Sequence, residues 1–286
     1  MDTYRLPGGR IETATARSAA RAAAGAAWLL GPHAWAMSAA GRLGARRSLH
    51  RLERVWASGV CSLLDMRLDV GGLEHVDPGK SYVVAPLHEG FADAVALMRL
   101  PLALRFVVRQ ELVEWRVLGR HLRSTDHVVV KAKTPRTAYR DLLRKAPAVL
   151  DSGDALVVFP QGSILGVEVA FQMGAFRLAD RLGVAVLPVV ITGTHRVWEY
   201  PYSPQLRFGQ RVSVRVLEPL RVGEAFSSAP EIEHRMKRIA LSADVAPARR
   251  FDPDRDGFWD GYAYEIDPVF PELRRLVDEH RSSIPA

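Results

Sequence analysis

Short apolar runs alternate with helical stretches between residues 67 and 216, and this rhythm restricts the possible folds more than any other feature of the sequence. Strands are predicted at residues 67–70, 82–85, 105–108, 128–130, 155–159, 185–191 and 211–216. Helices are predicted between them at residues 92–100, 136–150 and 171–182. Several of the strands are continuously apolar, as expected when helices cover both faces of a sheet. We therefore predict an α/β fold with a largely parallel sheet flanked by helices.

The segment before this region is helical in pattern and rich in small residues. One helical stretch is predicted at residues 13–45 and a second helix at residues 48–66. Tryptophans and arginines stand at their margins, so these helices could lie in a membrane interface instead of spanning the membrane. Ordinary packing of the helices on the core is the alternative interpretation.

The segment after this region consists mostly of helix and loop, with helices predicted at residues 229–241 and 270–280. This change of pattern divides the chain into three parts. They are N-terminal membrane-associated helices at 1–66, an α/β core at 67–222, and a C-terminal extension packed on the core at 223–286.

Composition limits the partners and the compartment of the protein. A formal net charge of +7 suits an acidic partner, such as an anionic lipid, a nucleic acid or a phosphorylated substrate. Cys61 is the single cysteine, which excludes a disulfide framework and a thiolate metal cluster and favours a reducing, cytoplasmic setting. The nearest approach to a membrane-spanning helix, residues 22–40, is interrupted by Gly31, Pro32 and His33, so no transmembrane helix is predicted.

The spacing His-x4-Asp occurs twice, as His88 with Asp93 and as His121 with Asp126. His88 directly follows an apolar strand and precedes a helix, at the end of a strand where open α/β sheets bind ligands. His121 follows a charged helical stretch with no strand before it, so the context favours His88. An aspartate that accepts a hydrogen bond from one ring nitrogen leaves the other nitrogen free as a general base. The alternative is that Asp93 only caps the start of a helix and that His88 only makes structural hydrogen bonds.

A second motif follows another apolar strand. It is the turn formed by Phe159, Pro160, Gln161, Gly162 and Ser163. Such a turn can present backbone N–H groups and short polar side chains to an anionic or oxyanionic group. By itself the same sequence is also typical of a generic loop.

The third motif is a proline within the apolar run at residues 185–191. Pro188 has no N–H group to donate to a ladder, so taken alone it favours an edge strand or a bulged strand. The order of the three motifs carries more information than any one of them.

That order and spacing resemble the PlsC-type glycerolipid acyltransferases, which include the lysophosphatidic acid acyltransferases. The resemblance covers about residues 67–220, and the N-terminal helices are similar to that family's membrane-docking element. Further matches are the segment of Arg109, Gln110, Glu111 and Leu112, and the segment of Gly174, Ala175, Phe176, Leu178 and Ala179.

The resemblance implies acyl transfer from an acyl-CoA or acyl-carrier-protein thioester to a hydroxyl of a lipid acceptor similar to lysophosphatidic acid. His88 would be the general base and Asp93 its support, with the turn from Phe159 to Ser163 binding the acceptor or oxyanion. Arg109 and Lys131 are possible basic contacts to the substrate. No cofactor, metal or nucleic acid is implied, and the expected location is peripheral, on the cytoplasmic face of the cell membrane.

Several positions depart from the family's pattern. The family's loop is Phe-Pro-Glu-Gly-Thr-Arg, whereas this chain has Gln161 for the glutamate and Ile164 for the arginine. The lysine usual before the Gly-Ala-Phe segment is replaced by Gln172 or Met173. The missing cations are the ones that would bind a phosphate group. A glycolipid hydroxyl or an amine is therefore an alternative to a phosphate-bearing acceptor. A non-catalytic lipid-binding or membrane-tethering protein is the alternative class, and a thioester hydrolase is disfavoured because no nucleophile is placed.

The C-terminal extension carries one motif of its own. Asp252, Asp254, Asp256 and Gly257 match the first half of a calcium-binding loop. The last ligand position of that loop is Ala263 instead of glutamate, which favours a polar turn over a calcium site.

Overall fold

A computed structural model describes residues 15–114, 118–130, 135–162, 170–194, 197 and 207–242. Within these residues the strands are β1 Arg67–Gly71, β2 Tyr82–Pro86, β3 Leu104–Arg109, β4 Val128–Val130, β5 Ala155–Val157, β6 Ala185–Thr192 and β7 Arg211–Val216. The helices are α1 Ala16–Leu30, α2 Pro32–Arg42, α3 Arg46–Leu63, α4 Asp93–Leu97, α5 Gln110–Val113, α6 Leu118–Ser124, α7 Pro135–Leu150, α8 Gly174–Leu182 and α9 Ala225–Ser242.

The strands form a single sheet in the order β1-β7-β6-β2-β5-β3-β4. Every neighbouring pair is parallel except β6 with β7, which is antiparallel. Five strands, β6 to β4 in this order, therefore run in one direction, and their carboxyl ends meet at one edge of the sheet. The predicted α/β fold with a largely parallel sheet is confirmed.

Packed apolar side chains cover both faces of this sheet, and β2 shows how they divide. Val83 and Ala85 pack with residues of α7, α8 and α9 on one face. Tyr82 and Val84 pack with residues of α3 and α4 on the other. Because alternate side chains of a strand point to opposite faces, a strand covered on both sides must be apolar throughout.

The N-terminal helical stretch is divided differently from the prediction. Residues 13–45 were expected to be one stretch, but α1 ends at Leu30 and α2 begins at Pro32. A proline inside a helix removes a backbone hydrogen bond and crowds the preceding turn, whereas it suits the first position, which accounts for the break at Pro32. The start of α1 is stabilised by Thr15 and Ser18, whose side chains each accept a hydrogen bond from the other residue's backbone N–H. In the described part of the chain, no helix has the length and apolar character needed to cross a membrane.

Pro188 lies in the interior of the sheet, so the expectation of an edge strand is wrong. β6 is flanked by β7 and β2, and Pro188 is in register with Ala85 of β2. The Pro188 carbonyl accepts a hydrogen bond of 3.0 Å from the Leu217 N–H, just past the last β6–β7 pair, Val189 with Val216. Since the nitrogen and carbonyl of a strand residue face the same neighbour, the Pro188 nitrogen also faces Leu217, where it has no N–H to donate, and the β6–β7 ladder ends at this pair.

Helix α3 is joined to the sheet through buried charged groups. The Arg105 side chain of β3 is 1% exposed, and its Nη1 lies 3.1 Å from both carboxylate oxygens of Glu53 on α3. Its Nε lies 3.0 Å from Oδ2 of Asp154, and its Nη2 lies 2.7 Å from Nε2 of His50. Burial raises the pKa of Glu53, although the Arg105 charge opposes that rise. No local sequence pattern predicts this cluster.

Candidate active site

Several side chains that could take part in catalysis or binding lie at the carboxyl ends of the parallel strands. His88 follows β2, Phe159 follows β5, Arg109 ends β3, and Thr194 follows β6. These strands are neighbours or near neighbours in the sheet, so their ends border one crevice. Arg109 is half-buried there, whereas Ser163 and Lys131, the other predicted contacts, lie outside the described residues.

His88 and Asp93 are in direct contact. Nδ1 of His88 lies 2.6 Å from Oδ2 of Asp93, which is fully buried as the first residue of α4. The same oxygen accepts hydrogen bonds from the backbone N–H of Glu89 at 2.8 Å and of Gly90 at 3.2 Å. An ionised carboxylate only accepts, so Nδ1 carries the proton and Nε2 of the neutral ring has a free lone pair. The His88 side chain is 20% exposed, and its ring can therefore be reached from the crevice.

Two residues of the second motif hold the His88 ring and loop. The Phe159 ring stacks on the imidazole, with ring centroids 3.8 Å apart and planes at 22°. The buried Gln161 side chain accepts a hydrogen bond through Oε1 from the His88 backbone N–H at 3.2 Å. Both contacts restrict the direction of the imidazole, so this turn supports His88. Its predicted contact with an acceptor or oxyanion stays a prediction.

The turn itself is held against the segment before α8. The Pro160 carbonyl accepts a hydrogen bond of 2.8 Å from the Gln172 N–H, and the Phe159 carbonyl accepts one of 3.2 Å from the Gly162 N–H. Gly162 has a φ of +69°, and an added Cβ would lie 3.1 Å from Nε2 of Gln172. The positive φ therefore favours glycine at this position.

The second His-x4-Asp pair does not form a pair in space. His121 lies on α6, and burial, with the nearby Arg105 charge, lowers its pKa to about 4. Asp126 points to solvent and has its carboxylate 3.7 Å from Nη2 of Arg46. Its φ of +56° is a left-handed conformation that aspartate tolerates. The structure thus brings together His88 and Asp93 but separates His121 and Asp126.

Glu53, His121 and His127 offer possible metal ligands, with atoms within 4.8 Å of one another. In favour, Nδ1 of His121 is buried without a hydrogen-bond partner among the described residues. Against, Nδ1 of His127 accepts a 3.0 Å hydrogen bond from the Phe106 N–H, so its neutral ring carries the proton on Nε2. The Glu53 carboxylate is also occupied by the Arg105 guanidinium, whose charge would repel a cation. These contacts favour a structural role for the group.

Sequence reasoning missed two residues that contact the His88 loop. The Thr194 hydroxyl donates a hydrogen bond to Oδ1 of Asp93. The Gly193 N–H donates one of 2.8 Å to Oε2 of Glu89, whose side chain is buried. The sequence feature that could have identified Thr194 is its position, because it follows a buried strand that ends at the same edge of the sheet as the strand before His88.

The chain is similar to a protein family, to individual relatives and to a solved structure. Residues 67–192 match the family described as Acyltransferase. The chain is similar to the 1-acyl-sn-glycerol-3-phosphate acyltransferase LPAT1, chloroplastic, of Arabidopsis thaliana, at 26% identity over 70% of this chain and 55% of the relative. It is also similar to the 1-acyl-sn-glycerol-3-phosphate acyltransferase alpha of Bos taurus, at 25% identity over 63% of each chain.

Among solved structures, the chain is similar to the 1-acyl-sn-glycerophosphate (LPA) acyltransferase, PlsC, from Thermotoga maritima. The TM-score is 0.57 at 22% identity, over 69% of this chain and 79% of that chain. At this identity the likeness shows the fold. The chain spans 50–55% of the length of the plant and algal relatives that it matches first.

Proposed function

We propose that the protein is an acyltransferase that moves a fatty acyl group onto a lipid acceptor, because residues 67–192 match the family described as Acyltransferase. The donor is an acyl-CoA or acyl-carrier-protein thioester, and the acceptor is a hydroxyl of a lipid similar to lysophosphatidic acid. The observation that carries the proposal is the 2.6 Å contact of His88 with the buried Asp93, which leaves Nε2 free at the carboxyl edge of the sheet. The names of the similar proteins support the acceptor class.

In the proposed reaction Nε2 of His88 takes the proton of the acceptor hydroxyl while its oxygen attacks the thioester carbonyl carbon. The tetrahedral intermediate then collapses, the carbon–sulfur bond breaks, and the imidazolium returns the proton to the departing thiolate. Asp93 stabilises the imidazolium that forms between these two steps. General-base assistance of this kind contributes on the order of 10²- to 10⁴-fold in rate.

The turn formed by Phe159, Pro160, Gln161, Gly162 and Ser163 borders the acceptor or the oxyanion in this proposal. Its support is the direct contact of Phe159 and Gln161 with His88. Arg109, at the end of β3, and Lys131 are proposed as basic contacts to a charged group of the substrate.

A neutral lipid hydroxyl is the second candidate acceptor, and one observation favours it. The exposed side chain of Gln172 beside the turn is a neutral amide, and its Nε2 lies 3.5 Å from the Gln161 carbonyl oxygen. The family that the sequence resembles usually has a lysine before the Gly-Ala-Phe segment, where this chain has Gln172 or Met173. An amide lacks the charge that strengthens a contact with phosphate.

Acceptor-dependent release of free thiol from acyl-CoA tests the proposed function. We expect release with lysophosphatidic acid, and a parallel assay with monoacylglycerol and a glycolipid ranks the neutral acceptors. Acyl-carrier protein replaces CoA in a second series. Release without any acceptor would indicate a hydrolase, and no release with any donor and acceptor would favour a lipid-binding or tethering protein.

Helices α1 to α3 are proposed to dock the protein on an anionic membrane surface. Trp35 and Leu43 are 68% and 82% exposed, and Arg42 beside them is also exposed. Exposed apolar side chains next to basic ones suit the interface of an anionic bilayer. The proposed attachment is peripheral, through these exposed side chains.

Replacing Trp35 and Leu43 together by serine is expected to weaken binding to anionic liposomes by about tenfold or more, because two apolar groups no longer enter the interface. Liposome flotation measures this. The matched control replaces Val222 and Phe226, which are exposed near the start of α9, and should float as the unmodified protein does. Equal loss in both double variants would contradict docking through α1 to α3. Point variants are preferable to truncation, which would remove Glu53 and leave Arg105 buried without that partner.

A further inference from the structure

The two oxygens of the Asp93 carboxylate have different partners. Oδ2 faces the His88 loop, where it accepts from Nδ1 of His88 and from the backbone N–H groups of Glu89 and Gly90. Oδ1 accepts from the hydroxyl of Thr194, a fully buried residue that follows β6. The hydroxyl is thus the contact that fixes the far side of the carboxylate.

The segment carrying Thr194 is itself attached to the His88 loop. The Gly193 N–H donates to Oε2 of Glu89 at 2.8 Å, and the Glu89 side chain is 1% exposed. Glu89 is the residue directly after His88, so the end of β6 contacts both ends of the loop that connects His88 with Asp93. This double attachment holds the Thr194 hydroxyl in place.

We propose that Thr194 is a positioning residue, which orients the Asp93 carboxylate and sets the charge that it presents to His88. The inference deepens the proposed acyl transfer and rests on it for its consequence in catalysis. A hydrogen bond to Oδ1 draws negative charge away from Oδ2, and this reduces the attraction between Oδ2 and the imidazolium. Loss of the hydroxyl would therefore strengthen that attraction.

The groups that face His88 can be named from each element around it. Asp93 on α4 and Glu89 on the loop are the carboxyl groups in these contacts. The Phe159 ring, the Gln161 amide and the Thr194 hydroxyl are neutral. Within the described contacts, loss of the Thr194 hydroxyl therefore changes the charge distribution of Asp93 without removing an ion.

Thr194→Val keeps the shape of the side chain and removes its hydroxyl, whereas Thr194→Ser keeps the hydroxyl. In Thr194→Val the titration midpoint of His88, followed by NMR, is expected to rise by about half a pH unit to one unit, the size of effect of one lost hydrogen bond. Thr194→Ser should titrate as the unmodified protein does. The His88 signal is assigned by its absence in His88→Asn.

Under the proposed function, kcat of Thr194→Val is expected to fall about tenfold, because a carboxylate held by fewer contacts orients the His88 ring less well toward the acceptor hydroxyl. KM should stay unchanged, and Thr194→Ser should recover most of the rate. The matched control is Thr125→Val, which removes an equally buried hydroxyl that donates to the His121 carbonyl at 2.8 Å. This control should leave both kcat and the His88 midpoint unchanged.

A His88 midpoint in Thr194→Val that is equal to or below that of the unmodified protein overturns the inference. Equal behaviour of Thr194→Val and Thr194→Ser, in either measurement, also overturns it. If the unmodified protein transfers no acyl group from any donor, the proposed function fails, and the NMR midpoints still decide the role of Thr194.

Discussion

Replacing His88 by alanine is expected to lower kcat for acyl transfer by about 10²- to 10⁴-fold, which is the usual contribution of a positioned general base. The acceptor hydroxyl would then have to lose its proton to water as it attacks the thioester. KM for the thioester should change little, since the imidazole acts on the proton of the acceptor. Thiol release at saturating acyl-CoA and acceptor measures the effect.

The control is His121→Ala, which removes the histidine of the other His-x4-Asp pattern. His121 lies in a buried cluster, and its carboxylate counterpart Asp126 faces Arg46 in solvent. We therefore expect His121→Ala to keep its kcat at any temperature where circular dichroism shows it folded. Equal loss of kcat in the two folded variants would contradict the assignment of His88 as the base.

Arg105→Leu is expected to lower the free energy of unfolding by about 3–5 kcal/mol near neutral pH, because it removes the cation from a buried cluster. Glu53 and Asp154 would then remain buried without the guanidinium that now lies 3.1 Å and 3.0 Å from their oxygens. Urea denaturation followed by circular dichroism gives the free energy of unfolding of each protein.

The loss of stability in Arg105→Leu should depend on pH. Burial already raises the pKa of Glu53 above its ordinary value of 4.5, and removing Arg105 takes away the largest opposing effect. A group with a raised pKa in the folded state takes up its proton more readily when folded than when unfolded. The loss of unfolding free energy in Arg105→Leu should therefore be largest above the pKa that Glu53 has in the folded protein, and it should shrink as the pH falls through that pKa.

The matched control is Arg215→Leu, since Arg215 forms an ion pair with Asp69 at the surface of the sheet. An exposed pair contributes about 0–1 kcal/mol, so this variant should be almost as stable as the unmodified protein at every pH. If the two leucine variants lost equal stability, the buried cluster would not be what joins α3 to the sheet.

Most strands could be predicted from the sequence because the signal for a buried strand is local. The prediction at residues 211–216 coincides with β7, and those near residues 82 and 128 agree with β2 and β4 to within a residue. The predicted strand at 155–159 was too long, because β5 ends at Val157 and Phe159 turns away to stack on His88. Apolar character indicated that the segment is buried but not where its hydrogen-bonded ladder ends.

The role of Pro188 depended on topology. Taken alone, a proline in a strand favours an edge, and the edge prediction was wrong because β7 returns antiparallel beside β6. The paired register of β6 and β7 ends at Val189 and Val216, and past that pair Pro188 still accepts a hydrogen bond from the Leu217 N–H, so the proline keeps an interior place although it cannot donate. Nothing near Pro188 in the sequence specifies this neighbour.

By itself the sequence determined which segments are buried strands and which turns follow them, and it favoured His88 over His121 through the strand before it. Only the tertiary structure decided the partners of those residues, because each partner comes from a distant part of the chain. Gln161 contacts the His88 backbone across 73 positions, Thr194 contacts Asp93 across 101, and Glu53 contacts Arg105 across 52. The order of strands in the sheet brings these residues together, and that order depends on how all the apolar faces pack at once.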